Sequence, residues 1–186
     1  RLLAGASAGW LSLLPELTTY GGYRNTELME SFSGNAFVRI KLGSFSLKLQ
    51  GIYGENLAHL VMMGGYGEEL PPGINPLPDP SAIRYRYTGI RSYSLWADAA
   101  FTRDNFYAGI FWGFAENLGS KKPVYADHWG RATNIDRSYR ISPRAGYIRG
   151  KASLNLELIY DRAVYGVPDQ YFNINLRSPA DNWRML

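Results

Sequence analysis

Polar and apolar side chains alternate with period two along much of this chain, most regularly between Arg137 and Asp161. Tyr139, Ile141, Pro143, Ala145 and Tyr147 share one parity, and Ser138, Arg140, Ser142 and Arg144 share the other. Past Arg149-Gly150 the alternation resumes, with Ala152, Leu154, Leu156, Leu158 and Tyr160 set against Ser153, Asn155, Glu157 and Asp161. Successive side chains of a strand point to opposite faces, so each run places its apolar set on one side of a sheet.

The same reading predicts eight strands in all. Leu2 to Leu13 carries Ala4, Ala6, Ala8 and Trp10 on one parity. Ala36 to Leu42 sets Val38, Ile40 and Leu42 against Phe37, Arg39 and Lys41. Phe45 to Tyr53 sets Phe45, Leu47, Leu49 and Tyr53 against Ser46, Lys48 and Gln50. Arg84 to Phe101 ends with Tyr93, Leu95, Ala97, Ala99 and Phe101 opposite Ser92, Ser94, Trp96 and Asp98. Asn105 to Ala115, the pair within 137–161 and a stub from Asn182 complete the set.

Connections alternate between short and long. Tight turns at 43–44, 103–104 and 149–150 would bring matching faces together, pairing Leu42 with Phe45, Phe101 with Phe106 and Tyr147 with Ala152. Long polar stretches fill roughly 13–34, 54–83, 116–136 and 164–180, with the strand breakers Pro-Pro-Gly and Pro-Leu-Pro-Asp-Pro in the second. Short turns at one end and long loops at the other are the habit of transmembrane β-barrels, whose strands alternate apolar-out and polar-in. A soluble β-sandwich also alternates. It has less use for long loops confined to one end or for aromatics crowded on the outward parity.

Composition sharpens this picture. Aromatic residues make up 15% of the 186, and cysteine is absent, which removes disulfides and thiol chemistry. No apolar run is long enough for a transmembrane helix. The formal charge of +4 comes from basic residues spread singly along strands, which speaks against nucleic acid as a partner. Both ends look cut, at a strand-like opening and at Trp183-Arg184-Met185-Leu186, so the expectation is a piece of a longer chain forming one barrel domain over residues 1–186.

Several phrases carry a family likeness. They include Gln50-Gly51-Ile52-Tyr53-Gly54-Glu55-Asn56-Leu57, Tyr93-Ser94-Leu95-Trp96-Ala97-Asp98, Gly113-Phe114-Ala115-Glu116-Asn117-Leu118-Gly119 and Arg140-Ile141-Ser142-Pro143-Arg144. With Ala163-Val164-Tyr165-Gly166 and the closing Asn182 to Leu186, they run in order through residues 35–186. Together they resemble the C-terminal part of porin-like outer-membrane proteins of Bacteroidota (DcaP-type). The resemblance implies a barrel of about sixteen strands, half of it supplied here, in the outer membrane of a Gram-negative cell. The chain lacks the family's terminal aromatic residue, a departure that fits truncation.

With the apolar parity facing lipid, the other parity lines a lumen. That assigns Arg39, Lys41, Lys48, Trp96, Asp98, Arg140, Arg144, Glu157 and Asp161 to the interior. Turn pairing sets Arg144 opposite Asn155, Ser142 opposite Glu157, and Arg39 opposite Lys48, a like-charge pair that needs solvent or a counter-ion. Rings of Arg and Lys favour anions. The same charges also suit a structural ladder filling a closed barrel. Tyr93, Phe101, Phe106, Tyr147 and Tyr160 are expected at the membrane interfaces, where amphipathic rings are favoured. Trp96 and Phe111 point inward, to fill space, narrow a pore or stack on a sugar.

Signals for catalysis are thin. His59 and His128 lack partner motifs, Asp127-His128 with Asp136 is a weak metal candidate, and Gly64-Gly65-Tyr66-Gly67 lacks the context of a phosphate loop. No G-x-S-x-G elbow occurs. The expectation is a non-enzymatic channel without cofactor or metal, passing small hydrophilic solutes with a mild anion preference. The alternative is a closed barrel serving as scaffold in a larger envelope complex. Its partners would be the lipid bilayer, small solutes, and further copies or other envelope proteins.

Overall fold

A computed structural model describes residues 1–18, 22–69 and 86–186, with the backbone alone at 125–127. Among the described residues the chain forms one antiparallel sheet of ten strands, with a single 3-10 turn at Leu57–Leu60 as the only helix. The strands are β1 (Leu2–Leu13), β2 (Met29–Leu42), β3 (Phe45–Glu55), β4 (Gly64–Glu69) and β5 (Tyr87–Arg103). Then follow β6 (Phe106–Ser120), β7 (Val124–Arg131), β8 (Ile135–Arg149), β9 (Ala152–Pro168) and β10 (Ile174–Met185). The main path runs β1-β2-β3-β5-β6-β8-β9-β10, so its eight members correspond to the eight predicted strands. At its two ends, β1 and β10 each pair on one side only, and the sheet is open.

The extra two strands lie in stretches that read as loops. β4 pairs with the start of β5 and with β7. Neither shows period two: β4 is Gly-Gly-Tyr-Gly-Glu-Glu, and its pairing depends on close backbone approach. A side chain at Gly65 would overlap the carbonyl of Trp129. The other long stretches shorten too, since β2 begins at Met29, β6 reaches Ser120, β9 reaches Pro168 and β10 starts at Ile174 rather than Asn182. The proline breakers at 71–80 and the expected strand start at Arg84 lie outside the described residues.

Two hairpin registers differ from expectation by two residues. Phe106 faces Arg103 and Phe101 faces Ala108; likewise Ala152 faces Arg149 and Tyr147 faces Leu154. The turns are therefore Asp104-Asn105 and Gly150-Lys151, each opened by a residue with positive φ (52° and 61°), as is Gly43 at 56°. Positive φ at the first turn position matches the twist of the flanking strands. Because the slip is even, every side chain keeps its predicted face. The third hairpin pairs Leu42 with Phe45 as expected.

Among the described residues conventional apolar burial gathers at the long-loop end, with Ile159 in mid-strand on the polar face apart from it. Ile90, Val124 and Phe172 form a small core there, near buried Met29, Leu57, Met63 and Ile174. The β9–β10 turn is tied into it: Ser120 N–H donates to Tyr171 O at 2.7 Å, Val124 N–H to Gln170 O at 2.7 Å, and the Asn117 amide to Phe172 O at 3.1 Å. Asp169 organises this turn by accepting the backbone N–H groups of Tyr171 (2.8 Å) and Asn173 (2.9 Å). Burial works to raise its pKa, but the hydrogen bonds from Asn173 and Tyr171 outweigh it and hold the carboxyl below the ordinary aspartate value. A depressed pKa stabilises the turn above the unfolded value, and that contribution is lost as pH falls through the lowered one. The amide resonances of Tyr171 and Asn173 should thus shift together as pH drops below about 4. Asp169→Asn should abolish that response.

Candidate functional site

Register places the inward-predicted side chains on one face in rows that cross the strands. Lys48 of β3 lies directly opposite Asp98 of β5, with Nζ 3.7 Å from Oδ1. From the other side Arg144 of β8 reaches the same carboxylate, Nη2 to Oδ2 at 2.5 Å. Between them stands β6, and Arg144's direct partner there is Gly109. A Cβ at Gly109 would sit 3.2 Å from Arg144 Nη2 and 3.0 Å from the carbonyl of Ala99. The bare glycine is what lets the guanidinium cross a whole strand. Asp98 is only 7% exposed, so this bridge is among the better-shielded ion pairs of the face.

A second cluster repeats the pattern with Asp161 at its centre. Arg140 is its direct cross-strand partner and binds it with Nε at 2.6 Å and Nη2 at 3.1 Å; Arg184 of β10 adds Nη2 at 2.6 Å. Each aspartate thus joins two cations from different strands. Arg39 stands opposite Lys48 as predicted, and Asp98 supplies the counter-charge that this pair needs. Arg39 and Lys41 have no acidic partner among the described residues. Arg144, expected opposite Asn155, instead faces Glu157, because the hairpin register moved by two. Ser142, expected opposite Glu157, still donates a diagonal hydrogen bond to it. Sequence reasoning missed Arg184, which fell in the stub, and the permissive role of Gly109. A glycine on the polar parity of the strand between an acid and a base was the available signal.

The opposite face carries the aromatic residues in two bands. Toward the tight turns, Phe45 pairs with Phe101, and Phe106 packs on Tyr147 at 4.7 Å between ring centres. Toward the loops, Tyr53 pairs with Tyr93, Tyr93 contacts Phe114 at 5.8 Å, and Tyr139, Tyr160 and Trp183 form a chain at 6.0 and 4.5 Å. All five aromatics singled out from sequence lie in these bands. One step further toward the loops the same face turns charged, with Glu55 opposite Arg91, Glu116 opposite Arg137 and Arg162 opposite Asp181. Between the bands it is aliphatic and open: Leu154 is 77% exposed and Ile110 48%. Burial is inverted, for Ser142 and Ser92 on the polar face are each 1% exposed.

The remaining candidates are engaged elsewhere. A ring nitrogen of His59 lies 2.9 Å from the carbonyl of Asn56, and His128 packs edge-on against Phe172 at 4.9 Å. Asp136 binds Arg177 at 3.0 Å, while the side chain of Asp127 lies outside the described residues. Among the described residues no three His, Asp or Glu gather at metal-ligand range. No protein-family model, no characterised protein and no solved structure matches this chain.

The bridge through Gly109 is separable by mutation. Asp98→Asn should destabilise the sheet by about 2 kcal/mol, because it leaves two cations facing a neutral amide. Gly109→Val should cost a similar amount by closing the path of Arg144. Combined, the two should cost much less than their sum, since both remove one interaction. Chemical unfolding of the four species measures this, and full additivity would show that Arg144 does not act through Asp98.

Proposed function

We propose that this sheet is part of the wall of an outer-membrane β-barrel that conducts small hydrophilic solutes. The inverted burial carries the proposal. A soluble sheet covers its apolar face with a second layer. Among the described residues nothing packs on Leu95, Ile110, Leu154 or Leu156, all exposed, whereas the opposite face buries serines and an aspartate. Lipid satisfies such a face at no cost in desolvated charge.

Dimensions support the reading. From Tyr93 to Phe101 the strand covers about 27 Å, and with the tilt usual in barrels this matches an apolar band of about 25 Å between aromatic girdles. The charged row beyond Tyr93 and Tyr160 falls where headgroups begin. In hydrocarbon every backbone group needs a partner, so the free edges of β1 and β10 call for closure by further strands. The likeness to porin-like proteins of Bacteroidota agrees with a larger barrel of about sixteen strands. On the inward face Arg39, Lys41, Lys48, Arg140, Arg144 and Arg184 outnumber Asp98, Glu157 and Asp161, which biases a water-filled lumen toward anions.

A second reading has one observation in its favour. The long-loop end is a cored cap with an aromatic trio on it, Tyr66 stacked on Trp129 at 5.3 Å and edge-on to Tyr87 at 6.2 Å. A folded cap with Trp129 exposed on it suits contact with other envelope proteins, as a scaffold would need.

Reconstitution of the full chain in planar bilayers separates the two. The channel reading predicts open conductance with a reversal potential favouring anions at low salt, fading as salt screens the lumen. Arg39 and Lys41 lack acidic partners, so neutralising both should lower the anion-to-cation permeability ratio about twofold without destabilising the sheet. Correct insertion with no conductance would favour the scaffold.

A further inference from the structure

Above the two ion-pair clusters the inward face holds a groove of about 510 Å³. Its volume falls in the range of small-molecule sites, about 300–1,000 Å³. One row of direct partners crosses it: Trp96 of β5, Gly113 of β6, Arg140 of β8, Asp161 of β9 and Asn182 of β10. Trp96 and Phe111 stand side by side on one wall, ring centres 6.1 Å apart and tilted by only 31°. The other wall is the Arg140–Asp161 pair, with the Asn182 amide beyond it. Gly113 has no side chain, and the Phe111 ring lies against it, 3.0 Å from where a Cβ would stand, so the floor between the walls is glycine backbone flanked by that ring. Two strand spacings separate Trp96 from Arg140, which is about 10 Å.

We propose that this groove is a subsite for a pyranose ring of a neutral sugar. The assignment deepens the channel reading and rests on it for the route by which sugar arrives. A pyranose presents a flat C–H face and a rim of hydroxyls. The groove presents an aromatic shelf of matching apolarity and, across the glycine floor, a polar wall fixed in plane. Arg140 spends Nε and Nη2 on Asp161, and its remaining N–H groups and the Asn182 amide are free to meet hydroxyls. Asp161 offsets only one of the two guanidinium groups it joins, Arg140 and Arg184, so the wall keeps a positive charge and a neutral sugar is selected by shape and hydroxyl placement. Small anions are better served by Arg39 and Lys41, which have no acidic partner among the described residues.

The test uses the full chain and maltotriose as probe, with a polyethylene glycol of equal mass as control. In planar bilayers maltotriose should interrupt the current in a saturable way and the glycol should not. Titration calorimetry in detergent should give sugar-binding heat with the same half-saturation. Trp96→Ala should raise that half-saturation about tenfold. Trp96→Phe should restore most of the affinity. Gly113→Val, whose side chain would press on the Phe111 ring and touch neither charged group, should give the same loss. Sugar binding that depends on Trp96 in a protein that does not conduct would remove the channel and keep the site. A conducting protein in which maltotriose neither blocks nor binds, or binds equally well after Trp96→Ala, would overturn the site and leave the channel standing.

Discussion

Cross-strand register is the constraint on which the rest of this structure depends. Seven consecutive pairings keep one parity of each strand on the same face, and each tight turn preserves that assignment. A slip of one residue at the β8–β9 turn would carry Leu154, Leu156 and Leu158 to the face of Arg140 and Arg144, and Glu157 and Asp161 to the face of Tyr139 and Tyr147. The sheet would then bury charge in apolar company. Even-numbered slips are tolerated, and two hairpins differ from expectation in that way alone.

Within that frame the polar face is held by cations shared around single carboxylates. Asp98 and Asp161 each join two basic residues from different strands, so the ladder runs from β3 to β10. Exposed ion pairs contribute little on their own. Here the shielding of Asp98 and the glycine beneath Arg144 make one of them specific. The apolar face has no equivalent covering. The two faces therefore make opposite demands on solvent, and a boundary between lipid and water meets both.

The eight main strands were legible because each alternates for at least part of its length, and the face of every candidate site residue followed from parity alone. Hairpin register was not legible to within two residues. Arg103-Asp104 and Asp104-Asn105 both suit a turn by composition; the chain takes the second, with Asp104 in the left-handed region at its first position. β4 and β7 escaped because glycine replaces alternation where backbones approach closely. The loop-end core escaped for a related reason. Ile90, Val124 and Phe172 are isolated apolar residues in polar surroundings, brought together by tertiary contact. Arg184 shows how a short visible stub hides a strand partner: its role follows only from pairing with Ile159, which sets it beside Asp161.

Because the chain has no native cysteine, single cysteines can report each face without interference. Spin labels placed in turn at residues 153 to 158 of the full chain in lipid bilayers test the central claim directly. Accessibility to oxygen, which concentrates in hydrocarbon, should peak at 154, 156 and 158. Accessibility to a water-soluble nickel complex should be lowest at those positions and higher at 153, 155 and 157. Uniform access to nickel along the strand, or oxygen maxima at the odd positions, would contradict a sheet whose apolar face meets lipid.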